Sequence, residues 1–340
     1  MQTVKRKFLS EFGVSLCSAR WLLMPATQLS SDGVMGNEES EISKNCHIYL
    51  ICERPAISFD KNDFSYDGKA ISGSIIYKID GIDFREKFTQ EFPLLDDAIE
   101  LKLSNYPHRE IQTFNKRGEC VRYLPASALS LAYRADSHDH IFRKLKVLYV
   151  GQAFGNGSRT AQVRLKSHST LQKILAEASY NSPDSEIFVS TFEYPPYRLF
   201  TSLDGISKGA IGDKRDSARF VSIIENPLKT NEQISLAEAA LIRYFQPHYN
   251  KIYKKKFPSM DLKVLNRCYE YDYSALFVEI NTEELELSLY SESISPAMHH
   301  IANIDLVDHQ SRSSFFHMPG YDGKQVKFMP AIGSANNDEE

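Results

Sequence analysis

Residues 235–250 read SLAEAALIRYFQPHYN. Ser235 is a hydroxyl residue suited to a helix start and Pro247 cannot continue one, so the stretch predicts a helix from Ser235 to about Phe245. Glu238 falls three residues after Ser235, the S-x-x-E spacing of a capping box, in which the carboxylate serves only the backbone N–H groups of the helix start. A carboxylate is also the natural ligand of a hard divalent cation, so Glu238 carries a structural and a chemical reading side by side.

Upstream, Leu165, His168, Leu171, Leu175 and Ala178 recur at intervals of three and four, which predicts one amphipathic helix over Thr160 to Ala178. Before it stand two apolar alternating runs, Ala128–Tyr133 and Lys146–Gly151, read as an antiparallel pair of strands; Ile187–Tyr194 is a further strand. Pro195 to Asn231 is too long for an ordinary connection and reads as an insertion. Nearer the start, His47–Cys52 (HIYLIC) is a buried strand, and Ile75–Ile79, Asp80-Gly81 and Ile82–Phe88 form a hairpin with a type I′ turn. Leu94–Leu103 suggests a short helix and residues 26–45 a polar loop. Past Asn250 come Lys254, Lys255 and Lys256, then strand-like runs at Ala275–Ile280 and Leu285–Tyr290 and an acidic tail. The pattern predicts an α+β protein with a small antiparallel sheet flanked by helices over residues 126–256. An acidic α+β region at 1–125 and a β-rich extension at 257–340 enclose it.

With 42% hydrophobic and 25% charged residues over 340 positions, the composition excludes wholesale disorder, a collagen-like repeat and a long coiled coil. The charge is uneven. Residues 141–256 hold 18 Lys/Arg and 10 Asp/Glu, a net of +8, and the remaining 224 residues hold 22 and 34, a net of −12. A basic module of this kind expects a polyanionic partner, and the acidic flanks offer a surface for a protein partner. The apolar run Phe12–Pro25 is short and carries Arg20, so no membrane span is expected, and it lacks a small-residue cleavage site for export. Five cysteines without C-x-x-C spacing fit a reducing, cytoplasmic setting.

Tyr149-Val150-Gly151, Arg164 with His168 four residues on, and the run from Glu238 through Gln246-Pro247 to Tyr249-Asn250 together resemble the GIY-YIG nuclease family. Tyr149 opens the second signature triplet. Leu131-Ala132-Tyr133 stands as a degenerate first triplet that keeps the tyrosine of Gly-Ile-Tyr. The run from Glu238 to Asn250 is especially similar to the nuclease domain of the bacterial excision-repair incision subunit. The resemblance covers roughly residues 128–256 and implies an endonuclease that hydrolyses phosphodiesters with one Mg²⁺ (or Mn²⁺) ion, on DNA more often than RNA, in a setting such as restriction or anti-phage defence.

Hydrolysis of a phosphodiester asks for the residue types present. Tyr149 would take the proton of the attacking water if a cation lowers its pKa from about 10. Glu238 would hold the metal, and Arg164 would meet the extra negative charge of the phosphorane. His168, one turn on along the same helix, would hold water or pass a proton; Asn250 would orient Glu238 or nearby backbone; Tyr133 completes the implied set. Lys166 and Lys254–Lys256 would grip the phosphate backbone. Arg159 competes with Arg164 for the phosphate, and His138 and His140 have H-x-H spacing without a further ligand. Two other classes fit the same chain: a nucleic-acid-binding protein that keeps the fold without turnover, and a scaffold paired through its acidic flanks.

Overall fold

In a computed structural model of the protein, the described residues are 5–29, 37–95, 97–132, 141–154, 161–203, 207, 209–259 and 262–316. β1 (Ser10–Cys17), β2 (Trp21–Pro25), α1 (Asn37–Asn45) and β3 (Cys46–Pro55) come first. A β-module follows: β4 (Ile57–Phe59), β5 (Ser65–Tyr66), β6 (Ala70–Ile79), β7 (Ile82–Glu91), β8 (Ala98–Leu103), β9 (Glu110–Asn115), β10 (Cys120–Pro125) and α2 (Ala126–Ala132). The chain continues through β11 (Lys144–Gln152), α3 (Ala161–Lys166), α4 (Ser169–Asn181), β12 (Ser185–Glu193), β13 (Arg198–Leu203), α5 (Lys214–Glu225) and α6 (Thr230–Phe245). It closes with α7 (Asn266–Glu270), β14 (Tyr273–Asn281), β15 (Ser288–Tyr290) and β16 (His299–Asp305).

The fold is mixed α+β with several small sheets. A five-stranded sheet has the order β15-β11-β3-β12-β2, and a four-stranded sheet has the order β13-β1-β14-β16. α6 packs against strands of both, so nine of its sixteen residues are buried and its apolar character runs almost all the way round. On the opposite face of the five-stranded sheet, Leu165 of α3 and Leu171 and Ile174 of α4 cover Tyr49, Ile51, Leu148 and Val189. The β-module has its own core of Ile57, Phe59, Ile71, Ile75, Phe88, Ile111, Leu129 and Phe142. Its hairpin turns at Asp80 (φ 51°) and Gly81 (φ 77°), both in the left-handed region that a type I′ turn demands. Buried Arg54 staples the module to the sheet, donating from Nη1 to the Phe142 carbonyl (2.9 Å) and from Nη2 to that of Ser127 (3.1 Å).

Several expectations are corrected. Ala126–Ala132 is helix α2, not a strand: Ala126, Leu129 and Ser130 are buried together at helical intervals, and Ser130 Oγ donates to the Ser127 carbonyl at 2.8 Å. The antiparallel partner of β11 is instead β3. Leu94–Leu103 is not a helix, because Ala98–Leu103 pairs with β9 as strand β8. Part of the polar loop at 26–45 is helical, in a 3-10 turn at Ala26–Leu29 and in α1. The insertion at 195–231 supplies β13 and α5. The five-stranded sheet takes β2 and β3 from before residue 126 and β15 from after 256, so it draws on all three sequence regions. Among the described residues no helix is long and apolar enough to cross a membrane.

Candidate active site

Tyr149 owes its direction to an irregularity in β11. Val147 lies opposite Cys52 and Tyr149 opposite Ile51, so two residues of β11 span one step of β3. In regular alternation Tyr149 would share the face of Val147, which belongs to the α6 core. The bulge places it with Leu148, on the face that carries Tyr49. β15 pairs with β11 only as far as Lys146, and the segment after α6 serves the edge beyond it. The Tyr249 N–H donates to the Leu148 carbonyl (3.1 Å). Asn250 brackets Val150, accepting its N–H at Oδ1 (2.9 Å) and donating from Nδ2 to its carbonyl (2.8 Å). Asn250 is buried and commits both polar atoms to backbone, so it positions the strand of Tyr149 and does not orient Glu238. Asn250→Ala leaves two buried backbone groups without partners and is expected to cost about 2–4 kcal/mol, measurable as a lower denaturant midpoint.

Across from Tyr149 stands Tyr49 of β3, with ring centroids 6.2 Å apart. Gly151, paired with Tyr49, makes room for it: a Cβ there would lie 2.5 Å from Tyr49 Cζ and 2.7 Å from Tyr149 Cε1. Gly151→Ala must therefore displace both rings; if they serve a reaction, its rate is expected to fall at least tenfold with an unchanged circular dichroism spectrum.

The expected single helix over 160–178 is two helices. α3 ends at Lys166, and His168 is the N-cap of α4, its Nδ1 accepting the Leu171 N–H at 3.2 Å. It therefore does not follow Arg164 along one helical face. A backbone N–H can only donate, so the neutral ring carries its proton on Nε2 and donates it to the Tyr49 hydroxyl, 3.2 Å away. Burial, aided by the Arg164 charge, lowers the His168 pKa and keeps the ring neutral. That leaves the Tyr49 proton for the Tyr149 phenol, whose anion it stabilises. His168 is buried, bonds the Tyr49 hydroxyl and meets the Tyr149 ring at a centroid distance of 5.3 Å, so it braces both tyrosines and is placed as a positioning residue and not as a direct holder of water.

Arg164 on α3 is half-buried, and its charge acts on Tyr49, Tyr149 and His168 alike. Burial, and next the Glu238 charge, raise the Tyr149 pKa, while Arg164 opposes the rise. The chain alone thus holds this phenol protonated at neutral pH; the lowering needed for a base must come from a bound cation.

Glu238 sits in the third turn of α6, because that helix begins at Thr230 and not at Ser235. Glu232 serves the helix start, accepting the Lys229 N–H at 2.7 Å, so Glu238 has no capping role. Its carboxylate is held by Gln152, whose Nε2 donates to Oε2 at 2.8 Å and whose backbone also hydrogen-bonds it. Burial pushes the carboxyl up to about 7. Among the described residues no group of three His, Cys, Asp or Glu converges as a metal cage. A single carboxylate still fits a hard cation that keeps most of its waters and takes phosphate oxygens as further ligands, and Glu238 is the residue that would hold it.

The structure thus brings Tyr149, Arg164, His168 and Glu238 together and adds Tyr49 and Gln152, which the sequence reasoning missed. A signal for Tyr49 was present: His47-Ile48-Tyr49 resembles a Gly-Ile-Tyr triplet in its Ile-Tyr pair, on the strand that pairs with Tyr149. Tyr133, Arg159, His138 and His140 lie outside the described residues. Lys166, Lys255 and Lys256 are exposed, whereas Lys254 is half-buried and its carbonyl accepts from Arg243 Nη1 at 2.7 Å. Comparison with family models, with curated proteins and with solved structures gave no match.

Proposed function

We propose that the protein is a Mg²⁺- or Mn²⁺-dependent endonuclease of GIY-YIG type that hydrolyses nucleic-acid phosphodiesters, with DNA the first substrate to test. The convergence of two tyrosines, a histidine, an arginine and a glutamate from β3, β11, α3, the start of α4 and α6 around β11 carries this reading, with Arg164 and Glu238 both acting on Tyr49 and Tyr149. An ion on Glu238 would supply Lewis-acid polarisation of the scissile phosphate. Gln152 keeps that carboxylate aimed, Arg164 meets charge developing on the phosphoryl oxygens, and Tyr149 takes the proton of the attacking water. Tyr49 and His168 hold the Tyr149 oxygen in place and stabilise its anion. The net +8 of residues 141–256 suits a polyanion, and large accessory regions around such a core suit restriction or anti-phage defence.

The test is incubation with duplex DNA, single-stranded DNA and RNA in Mg²⁺ and in EDTA, with analysis of product ends. Cleavage in Mg²⁺ leaving defined phosphate and hydroxyl ends is expected; salt-sensitive binding without cleavage would leave a nucleic-acid-binding protein. Arg164→Ala is expected to lower the single-turnover rate by roughly 10²-fold or more, as loss of a transition-state charge partner does. Arg159→Ala should have the smaller effect.

A further inference from the structure

The β-module is inserted between the two tyrosine-bearing strands, leaving the sheet at Pro55 and returning at Lys144. At that junction is a groove of about 410 Å³, bounded by Ala56 and Asp184 on the sheet side and by the turn Tyr106–Arg109 on the module side. The turn is fixed in place: the Phe59 N–H donates to the His108 carbonyl (2.9 Å), and His108 Nδ1 bonds the Ser104 carbonyl (2.7 Å). It holds out Tyr106, which is 88% exposed and meets the His108 ring only in an edge contact at 6.1 Å. An aromatic ring presented on a braced turn beside a cavity is a stacking platform.

The charges of the groove are sorted. Asp60 is ion-paired with Arg85 and accepts the Asn62 N–H, and Asp83 pairs with Lys78 at 3.5 Å. Lys61, Arg109 and Asp184 also line the groove, the Arg109 charge acts on the neighbouring Glu186, and the Nε of Arg109 is buried with no hydrogen-bond partner. A buried guanidinium nitrogen left without an acceptor is costly unless an acceptor arrives, and a phosphate oxygen is the acceptor that guanidinium geometry suits best.

We propose that this groove binds one unpaired nucleotide of the substrate strand away from the scissile bond, with its base on Tyr106 and its phosphate on Lys61 and Arg109. The proposal rests on the nuclease reading for the identity of the strand. Pro55 is six residues along β3 from Tyr49, about 20 Å at the rise of a strand. That distance is about six nucleotides at the per-strand spacing of a duplex. The inserted module would thus select substrates with an unpaired flank at a set distance from the cut.

The experiment is fluorescence anisotropy of the full chain in EDTA with a labelled single strand of about twenty nucleotides, the long strand, and a blunt duplex of the same length, which offers no unpaired nucleotide. Tyr106→Ala, at an exposed position where folding is not at stake, and Lys61→Glu are compared with wild type. Each should weaken the long strand about tenfold, on the scale of one lost base–aromatic stack, and leave the blunt duplex unchanged. In cleavage, KM should rise for the long strand with kcat constant. Equal binding of the long strand by wild type and Tyr106→Ala overturns the groove even where cleavage is intact. Selective loss of long-strand binding without any cleavage by wild type supports the groove and removes the nuclease reading.

Discussion

Glu238→Gln is expected to abolish Mg²⁺-supported cleavage and, at alkaline pH, to make the protein more stable. The amide keeps the size of the side chain and its place beside Gln152 but forfeits the anionic ligand. The stability effect follows from the carboxyl pKa of about 7, set chiefly by burial, against an ordinary value of 4.5. Between those values the unfolded chain has released the proton that the folded chain retains, so stability falls as pH rises through this window. Above it the ionised group leaves the fold poorer by the full shift, on the order of 3 kcal/mol at most. Gln removes that penalty, so the variant should melt a few degrees above wild type near pH 8 and level with it near pH 4. Metal binding must displace the same proton, so wild-type affinity for Mn²⁺ should be weaker near pH 6 than near pH 8. A capping glutamate would behave in the opposite way, its replacement costing stability and sparing activity. Melting temperatures across pH, set beside cleavage rates, separate the two roles.

Tyr149→Phe is the second change of large effect. Phenylalanine keeps the ring against Tyr49 and His168 and suits a strand equally well, so the melting temperature should hardly move. The variant lacks the one atom able to accept a proton, and single-turnover cleavage should fall by roughly 10²- to 10⁴-fold. In wild type the rate should climb with pH until the phenol, raised by burial and by Glu238 and lowered by Arg164 and a bound cation, is ionised. A Tyr149→Phe protein with full activity would transfer the proton-accepting role to metal-bound hydroxide. Tyr49→Phe is a milder relative, since it breaks the link from His168 Nε2 without removing the acceptor itself.

Local pattern supplied several of the side chains that converge here and missed how they assemble. The hairpin at Asp80-Gly81 was legible because only a few residues tolerate two successive positive φ angles. The spacing from Glu238 to Asn250 was legible as well, and it works because the chain after α6 turns back to bond Leu148 and Val150. The pairing of β3 with β11 was hidden, since the whole β-module separates them and alternation within a strand carries no record of its neighbour. Small apolar residues in ASALSLA suit a strand and a helix equally, and burial at positions i, i+3 and i+4 decided for α2. Ser235 imitates an N-cap, but the apolar face of α6 runs back to Ile234 and Glu232 closes the actual start. His168 has helical spacing from Arg164, yet its imidazole competes for the Leu171 N–H and ends one helix to begin another.

The most direct test of the central claim is single-turnover cleavage of a labelled duplex by wild type and by Glu238→Gln, each in Mg²⁺ and in EDTA, with melting temperatures recorded on the same samples. Wild type should cut only in Mg²⁺, and the folded variant should cut in neither. Equal cleavage by wild type and a folded Glu238→Gln protein, or wild-type cleavage undiminished in EDTA, would contradict the account.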